Sequence, residues 1–230
     1  VVYVYPTVGE TAHDEAAARF AESYRKYVPG CDHILHVVFN GQQPNATHRS
    51  ILADTQYQTH QHDDVGWDTG AYLKVASEID CDLMVCLGGS SYFMRAGWLS
   101  RMAEAYCEHG LGLYGSSASL EITPHIRTTG FWCHPTLLRA YPRTVRSKKD
   151  RYAFEHGPAS LTRLAEYVGL GCWLVTWDAV YAKPQWRTPP NIFRRGDQSN
   201  SIVFDRQFGM YEDWDEATRL HYAALADGEG

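Results

Sequence analysis

Several signals that would assign this chain to a familiar protein class are missing from its sequence. Its six cysteines show neither the C-x-x-C spacing of zinc sites nor the density of secreted disulfide scaffolds, so we expect free thiols in a reducing compartment. No apolar run approaches the roughly 20 residues that a membrane span needs. The opening segment VVYVYP lacks the charged and apolar regions of a signal peptide. These absences predict a cytoplasmic protein without a transmembrane segment.

An excess of positive charge is missing as well. The chain carries 21 Lys and Arg residues against 27 Asp and Glu residues, which gives a formal net charge of -6. Proteins that bind nucleic acid mainly by neutralising its phosphates carry the opposite balance. We therefore do not expect nucleic acid as a partner.

The composition that is present is that of a folded globular protein. Hydrophobic residues make up 44% and charged residues 21% of the 230 positions, so the chain can bury a core of its own. No shift in composition divides the sequence. We expect one domain over residues 1–211, followed by a C-terminal helix and tail over residues 212–230.

Strand and helix patterns alternate along the first half of the chain. Short β-branched or apolar runs alternate with segments of helical periodicity, which predicts an α/β domain with a mostly parallel sheet flanked by helices. The predicted strands are 1–5, 34–39, 82–87 and 112–114, and the predicted helices are 13–27, 46–54, 67–79 and 96–109. The second half is less regular, with short helices at 135–141 and 161–168, a strand at 172–177, loops at 143–150 and 184–200 and a last helix at 213–226.

The segment RYAFEHGPASLTRL, residues 151–164, carries the strongest chemical signal. It places Glu155 and His156 at the start of a helix predicted from Pro158, after an alternating pattern whose ligands bind at the carboxyl ends of strands. A carboxylate held there by backbone donors is a candidate general base, a role that contributes about 10²- to 10⁴-fold in rate. The alternatives are that Glu155 only caps the helix and that His156 is the base or a structural turn residue.

Seven separated segments resemble the GT-A glycosyltransferase fold. The sequence is most similar to a bacterial set of glycosyltransferase-like proteins related to rhamnan synthesis enzymes. The segments are VVYVYP, VVFNG, GWDTGAYLKVAS, DLMVCLGGSSYF, PHIRTTGFW, RYAFEHGPASLTRLAEYVG and RRGDQSN, which together extend over residues 1–211. The resemblance implies a single Rossmann-like domain and an inverting hexosyltransferase. It would move a sugar from a nucleotide-diphosphate donor to the hydroxyl of a glycan or another acceptor, with Glu155 as base.

The resemblance also exposes a departure at the expected metal site. In that fold the strand matching residues 82–87 runs into an Asp-x-Asp motif that holds a divalent cation on the diphosphate. This chain has Leu87, Gly88, Gly89 and Ser90 there, without the carboxylates that Mg²⁺ or Mn²⁺ sites use. Either the reaction needs no metal, or Asp82 or His125 recruits the ion, or sugar transfer has been lost. We assign no metal ligand.

Donor-binding candidates follow from the same resemblance. Asp68, with Trp67, matches the segment that contacts the nucleoside, although Asp68 could equally be a helix N-cap. Pro6, Thr7 and Asn40 end predicted strands and could line the crevice or only form turns. Gly88, Gly89 and Ser90 are donor candidates at the third strand end.

The late loop and the PHIRTTGFW segment supply the remaining candidates. Arg194 and Arg195, with Asp197 and Gln198, could bind the diphosphate in place of a metal, or could form a solvated basic loop. His125 and Arg127 could face the acceptor, and Trp132 or Trp186 could stack on a sugar; burial in the core is the alternative for these side chains.

Two functions remain open from the sequence. The first is a glycosyltransferase, and the second is a sugar- or nucleotide-binding module that kept the fold and lost transfer chemistry. A nucleotidyltransferase is a weaker third, because that chemistry depends on carboxylate-bound metal and the chain has no Gly-rich phosphate loop ending in Lys-Ser/Thr.

Overall fold

A computed structural model of the protein describes residues 1–187 and 193–229. Over these residues the chain forms ten strands and nine α-helices. The strands are β1 (Val2–Thr7), β2 (His36–Gly41), β3 (Gln58–His62), β4 (Met84–Leu87), β5 (Gly112–Gly115), β6 (Ala118–Ser119), β7 (His125–Ile126), β8 (Gly130–Cys133), β9 (Gly171–Val175) and β10 (Val180–Ala182). The helices are α1 (Thr11–Lys26), α2 (Ala46–Ile51), α3 (Trp67–Glu78), α4 (Trp98–His109), α5 (Pro135–Arg139), α6 (Lys148–His156), α7 (Leu161–Tyr167), α8 (Arg206–Asp213) and α9 (Glu216–Ala226).

Eight strands form one mixed sheet in the order β10-β9-β5-β8-β4-β1-β2-β3. The pairs β1–β2, β1–β4, β2–β3 and β5–β9 are parallel, while β8 runs antiparallel between β4 and β5 and β10 runs antiparallel to β9. The predicted single α/β domain with a mostly parallel sheet is confirmed. Because β1, β2 and β4 are parallel, their carboxyl ends meet at one edge of the sheet.

Helices cover both faces of this sheet, since successive side chains of a strand point to opposite faces. Val2 and Val4 of β1 join a buried core with side chains of α3, α5, α6 and α7. Tyr3 and Tyr5 join a second core with α1 and α4. Tyr3 stacks on Phe20 of α1 with ring centroids 3.7 Å apart. Apolar contacts on both faces of the sheet therefore hold β1 in place.

Strand β3 was not predicted from the sequence. All five of its residues, QTHQH, are polar, and none is fully buried. The strand lies at the edge of the sheet, where it pairs only with β2 among the described strands. An edge position leaves its side chains near solvent, so the apolar alternation that marks a strand is missing.

The C-terminal region differs from the prediction of one helix over residues 213–226. It forms α8 and α9, because Asp215 accepts a hydrogen bond from the backbone N–H of Thr218 at 2.7 Å and caps the second helix. Helix α9 is tied to the domain by the N–H of Leu120, which donates to the carbonyl of Ala226 at 2.7 Å. The predicted boundary after residue 211 falls inside α8, and the division into domain and tail stays a prediction.

Two further expectations concern thiols and membrane segments. The six cysteines are free, and three of them, Cys86, Cys133 and Cys172, are buried. None of the helices within the described ranges has the length and apolar character needed to cross a membrane.

Candidate active site

The carboxyl ends of β1 and β4 meet around the two glycines that follow β4. A Cβ atom added at Gly89 would lie 2.7 Å from Cδ of Pro6, and one added at Gly88 would lie 3.0 Å from Oδ2 of Asp68. Neither position has room for a side chain while these neighbours stay in place. The backbone at these two glycines therefore packs closely against a proline ring of β1 and a carboxylate of α3.

Asp68 supplies the carboxylate that faces these glycines. It lies in the first turn of α3, whose N-cap is Gly66 with φ 82°, so the alternative role of Asp68 as the N-cap is wrong. Burial raises the pKa of Asp68, while the Arg151 guanidinium and the backbone N–H of Gly89 oppose the rise. A half-buried carboxylate thus lies close to the backbone at the end of β4.

The hydroxyl of Tyr72 lies one turn further along α3. It would be 3.6 Å from a Cβ at Gly88, and the tyrosine side chain is fully buried. No described residue hydrogen-bonds this hydroxyl. Buried polar atoms are rarely left without a partner, so this hydroxyl is an uncompensated polar group beside Gly88.

Glu155 lies elsewhere than the sequence predicted. It belongs to the last turn of α6, and α7 begins only at Leu161 after the N-cap Ser160, so the expected helix start at Pro158 is wrong. Both the proposed support from a helix N-terminus and the alternative capping role are therefore wrong. The support that exists is the backbone N–H of Thr128, which donates to Oε1 of Glu155 at 3.1 Å.

The charges around Glu155 favour its ionised form. Burial alone would raise the pKa of Glu155, but the Arg127 guanidinium, His125 and the Thr128 N–H outweigh burial and lower it. The second carboxylate oxygen, Oε2, accepts no hydrogen bond from any residue that the structure describes. Glu155 is therefore an ionised carboxylate with one oxygen held and one available.

Backbone contacts connect the two carboxylates. The N–H of Gly88 donates to the carbonyl of Thr129 at 3.1 Å, and the preceding residue Thr128 holds Glu155. Asp68 therefore lies beside the β4 end of this backbone contact, and Glu155 lies beside the segment that leads into β8. Burial raises the pKa of Asp68 while Arg127 lowers that of Glu155, and carboxyl pairs with opposed pKa shifts are typical of acid and base assignments.

Arg127 is committed to structure as well as to charge. Its guanidinium pairs with Asp205 at 3.0 Å, and both side chains are almost fully buried. It also stacks over the ring of Phe193 at 3.7 Å, and Thr129 Oγ1 donates to the same Asp205 carboxylate at 2.8 Å. Arg127 makes no hydrogen bond to Glu155 in the described structure, so it acts on this carboxylate through its charge.

The two histidines lie next to each other near Glu155. The rings of His125 and His156 are 5.7 Å apart, and Nδ1 of His125 is 2.7 Å from the carbonyl oxygen of Thr123. Burial lowers the pKa of His125, although Glu155 acts in the opposite direction. Nδ1 of His156 is buried and has no partner among residues 1–187 and 193–229.

The other strand-end candidates have mostly structural contacts. The Asn40 side chain donates to Asp64 at 2.6 Å and lies 2.7 Å from Nδ1 of His62, while Thr7 Oγ1 donates to the carbonyl of Gln42 at 2.6 Å. Trp67 is 37% exposed and has a left-handed backbone with φ 53° at the start of α3. Pro6 alone among these contacts the glycines.

The basic loop is directed mainly toward the C-terminal helices. Arg194 lies 3.6 Å from the Glu121 carboxylate, over the rings of Phe193 and Tyr222, and Arg195 pairs with Asp227 at 3.0 Å. Gln198 is buried, and no described residue hydrogen-bonds its Nε2. The middle of the predicted loop, residues 188–192, lies outside the described residues.

Two aromatic candidates and one serine complete the set. Trp132 is fully buried on β8 and stacks with Tyr114 at 5.9 Å, so the predicted stacking on an acceptor is wrong: its ring has no exposed face. Trp186 is likewise fully buried. Ser90 Oγ accepts a weak hydrogen bond from the N–H of Arg206 at 3.4 Å, at the mouth of the crevice.

The side chains around the crevice do not form a cation site by themselves. Within the described ranges no group of three or more His, Cys, Asp or Glu side chains could hold a metal ion. Asp82 precedes β4 and lies at the strand end opposite to the crevice, so it cannot recruit an ion there. Asp68 supplies one carboxylate, and Mg²⁺ in nucleotide sites is held by one or two carboxylates together with water and substrate phosphates.

Two open clefts lie beside this crevice. One of about 550 Å³ is lined by Gly41, Gln61, His62 and Lys74, among others. The other, of about 520 Å³, runs between α3 and the segment around Tyr141–Arg146. Neither Asp68 nor Glu155 lines either cleft, so both clefts lie apart from these two carboxylates.

Comparisons with known proteins leave the activity open. No protein-family model matches the sequence, and no curated protein sequence matches it. The structure resembles HddC from Yersinia pseudotuberculosis, with a TM-score of 0.46 and 12% identity over 67% of this chain and 82% of that chain. It also resembles TarS 1-349 from S. aureus in complex with UDP, with a TM-score of 0.45 and 13% sequence identity over 65% of this chain and 52% of that chain. A third similar structure is a putative glucose-1-phosphate thymidylyltransferase from Bacillus anthracis. Its TM-score is 0.46 and its sequence identity is 8%, over 96% of this chain and 98% of that chain. Likenesses this distant identify neither an activity nor a family for the chain.

Proposed function

We propose that the protein is an inverting hexosyltransferase that moves a sugar from a nucleotide-diphosphate donor to an acceptor hydroxyl. The observation that carries this proposal is the state of Glu155 at the edge where β1 and β4 end. One of its oxygens is held by Thr128, and the other has no described partner. The sequence resemblance to GT-A glycosyltransferases supplies the substrate class, and the link to rhamnan synthesis rests on that resemblance alone.

In the proposed reaction Glu155 is the general base. Its Oε2 takes the proton of the acceptor hydroxyl while the hydroxyl oxygen forms a bond to the anomeric carbon of the donor sugar. The bond between that carbon and the phosphate oxygen breaks, and the nucleoside diphosphate leaves with the bonding electrons. Attack from the face opposite to the leaving group inverts the configuration. Burial acts against ionisation, but Arg127, His125 and the Thr128 N–H together outweigh it and lower the pKa of Glu155, so the base is ionised at neutral pH.

We assign the donor to the side of the crevice that holds Asp68, Gly88 and Gly89. Asp68 accepts the Gly89 N–H and keeps further acceptor capacity for nucleoside hydroxyls. We assign the acceptor to the opposite side of Glu155, where His125 and His156 lie. The two substrates would then meet at Oε2 of Glu155.

A second candidate function is a nucleotide-sugar binding module without transfer activity. It is favoured by the closed positions at Gly88 and Gly89 and by the absence of a metal-holding group within residues 1–187 and 193–229. The two candidates differ in one measurable respect, since only the first consumes the donor.

A screen of nucleotides and nucleotide sugars tests both candidates. A ligand that binds only the folded state must raise the melting temperature, so a single nucleotide class should stabilise the chain. The stabilising donor is then incubated with an acceptor panel, with and without chelator, and the anomer of the product is determined by NMR. We expect inverted product and activity that survives chelation. Binding without turnover favours the module, and no nucleotide binding rejects both functions.

A further inference from the structure

Helix α6 carries a second charged side chain into the crevice besides Glu155. Arg151 precedes Glu155 by four residues, so both lie on the same face of the helix. Helix α6 packs against α3, which carries Asp68, and against β7. Arg151 therefore lies on the face of α6 that carries Glu155, in a helix that contacts α3, and its charge lowers the pKa of both Asp68 and Glu155.

Arg151 differs from the other arginines near the crevice in having no partner. Arg127 pairs with Asp205, Arg194 with Glu121, and Arg195 with Asp227. The half-buried guanidinium of Arg151 makes no hydrogen bond or ion pair with any residue that the structure describes. An arginine offers five donors in a planar fork, so a half-buried one without partners has its full binding capacity available.

A phosphate group in this crevice would need a cation such as Arg151. Asp68 and Glu155 by themselves would repel a phosphate group, and Arg151 is the cation that lies within range of both. The buried hydroxyl of Tyr72 beside Gly88 is a further donor that lacks a partner. No group of metal ligands is available here within the described ranges to offset phosphate charge.

We propose that Arg151 binds the diphosphate of the nucleotide donor and takes the place of a divalent cation at the end of β4. This inference rests on the proposed function and deepens it. A guanidinium binds two phosphate oxygens at once with charge-assisted hydrogen bonds. As the sugar–phosphate bond breaks, the same contacts stabilise the charge that develops on the leaving diphosphate.

Calorimetric titration of the full chain tests the assignment. The probes are inorganic pyrophosphate, UDP, GDP, dTDP and the matching nucleosides, titrated into the wild type and into Arg151→Gln. The variant should bind pyrophosphate and the preferred nucleoside diphosphate about 10- to 100-fold more weakly, since hydrogen bonds to a charged group are lost. Its affinity for the nucleoside should stay within about twofold. Arg146→Gln, the same charge change at an exposed position five residues earlier, should leave both affinities within about twofold.

Arg151→Lys keeps the charge and covers the case in which Arg151→Gln does not fold. It should lose about three- to tenfold in diphosphate affinity, because an ammonium cannot make the forked contact. Equal losses for nucleoside and nucleoside diphosphate would show that Arg151 only supports Asp68 structurally, and would overturn the proposal. Unchanged diphosphate affinity in both variants, or no diphosphate binding by the wild type, would overturn it too. Arg151-dependent binding without sugar transfer to any acceptor would instead reject the proposed function and leave the diphosphate site standing.

Discussion

Replacing Glu155 with Gln removes the proposed base while keeping its position. Glutamine has the same length, and its amide oxygen can accept the Thr128 N–H that now lies 3.1 Å from Oε1. The amide can neither take a proton nor carry the charge that Arg127 and His125 now face. The variant therefore separates the proton transfer from the geometry that supports it.

The size of the expected loss follows from the environment of this carboxylate. A positioned general base contributes about 10²- to 10⁴-fold, which corresponds to about 3–5 kcal/mol in activation free energy. Burial would strengthen Glu155 as a base, but Arg127, His125 and the Thr128 N–H outweigh burial and lower its pKa. A weaker base contributes less, so we expect kcat to fall by about 10²- to 10³-fold. Donor affinity should change little, because Oε2 faces the acceptor in the proposed reaction.

Release of nucleoside diphosphate measures kcat, and calorimetry measures the donor Kd. The matched control is Glu104→Gln, which makes the same charge change at an exposed position on α4. The pH profile supplies a second readout. Because the pKa of Glu155 is lowered from 4.5, wild-type activity should decline only below the ordinary glutamate range. A decline centred near the histidine range, or turnover of Glu155→Gln within about threefold of the wild type, would refute Glu155 as base.

The remaining predictions concern buried charges. Asp68→Asn should raise the free energy of unfolding at pH 7 by about 0.5–2 kcal/mol, because burial raises the folded-state pKa and ionisation then costs stability. In urea titrations this gain should vanish below pH 3.8, the ordinary value, where both states are protonated; a gain that persists there contradicts the cause. Arg127→Met should cost about 3–5 kcal/mol because it leaves Asp205 buried without its partner, and adding Asp205→Leu should recover part of the loss. If the double variant is no more stable than the single one, the ion pair is not the reason.

The sequence predicted those parts of the crevice that depend on local pattern. Apolar runs located β1 and β4, and the residues that follow such runs in parallel strands must meet at one edge. Pro6 was placed at this edge for that reason, while Asp68, Gly88 and Gly89 were placed there by the resemblance to the GT-A fold, and the structure brings the four residues into contact. The closeness of this packing could not be predicted, because it depends on a proline ring from another strand.

The parts that were missed or wrong depend on contacts distant in sequence. The partner of Arg127 is Asp205, 78 positions later, and the partner of Arg194 is Glu121; neither pairing leaves a periodic signal. Residues 143–150 were expected to form a loop, but the reciprocal hydrogen bonds between Ser147 and Asp150 start α6 inside that range. The Ser-x-x-Asp spacing was the available signal for this helix. Recognising it would have placed Arg151 and Glu155 on one helical face.

Asp68 and Tyr72 both impose a cost on the folded chain. A carboxylate whose pKa is raised by burial and a fully buried hydroxyl without a described partner each reduce stability relative to an apolar replacement. The Gly89 N–H and the field of Arg151 offset only part of the first cost, since the pKa of Asp68 stays raised. Uncompensated polar groups of this kind concentrate at functional sites. Asp68 and Tyr72 therefore concentrate this cost beside Gly88, on the side of the crevice to which the donor is assigned.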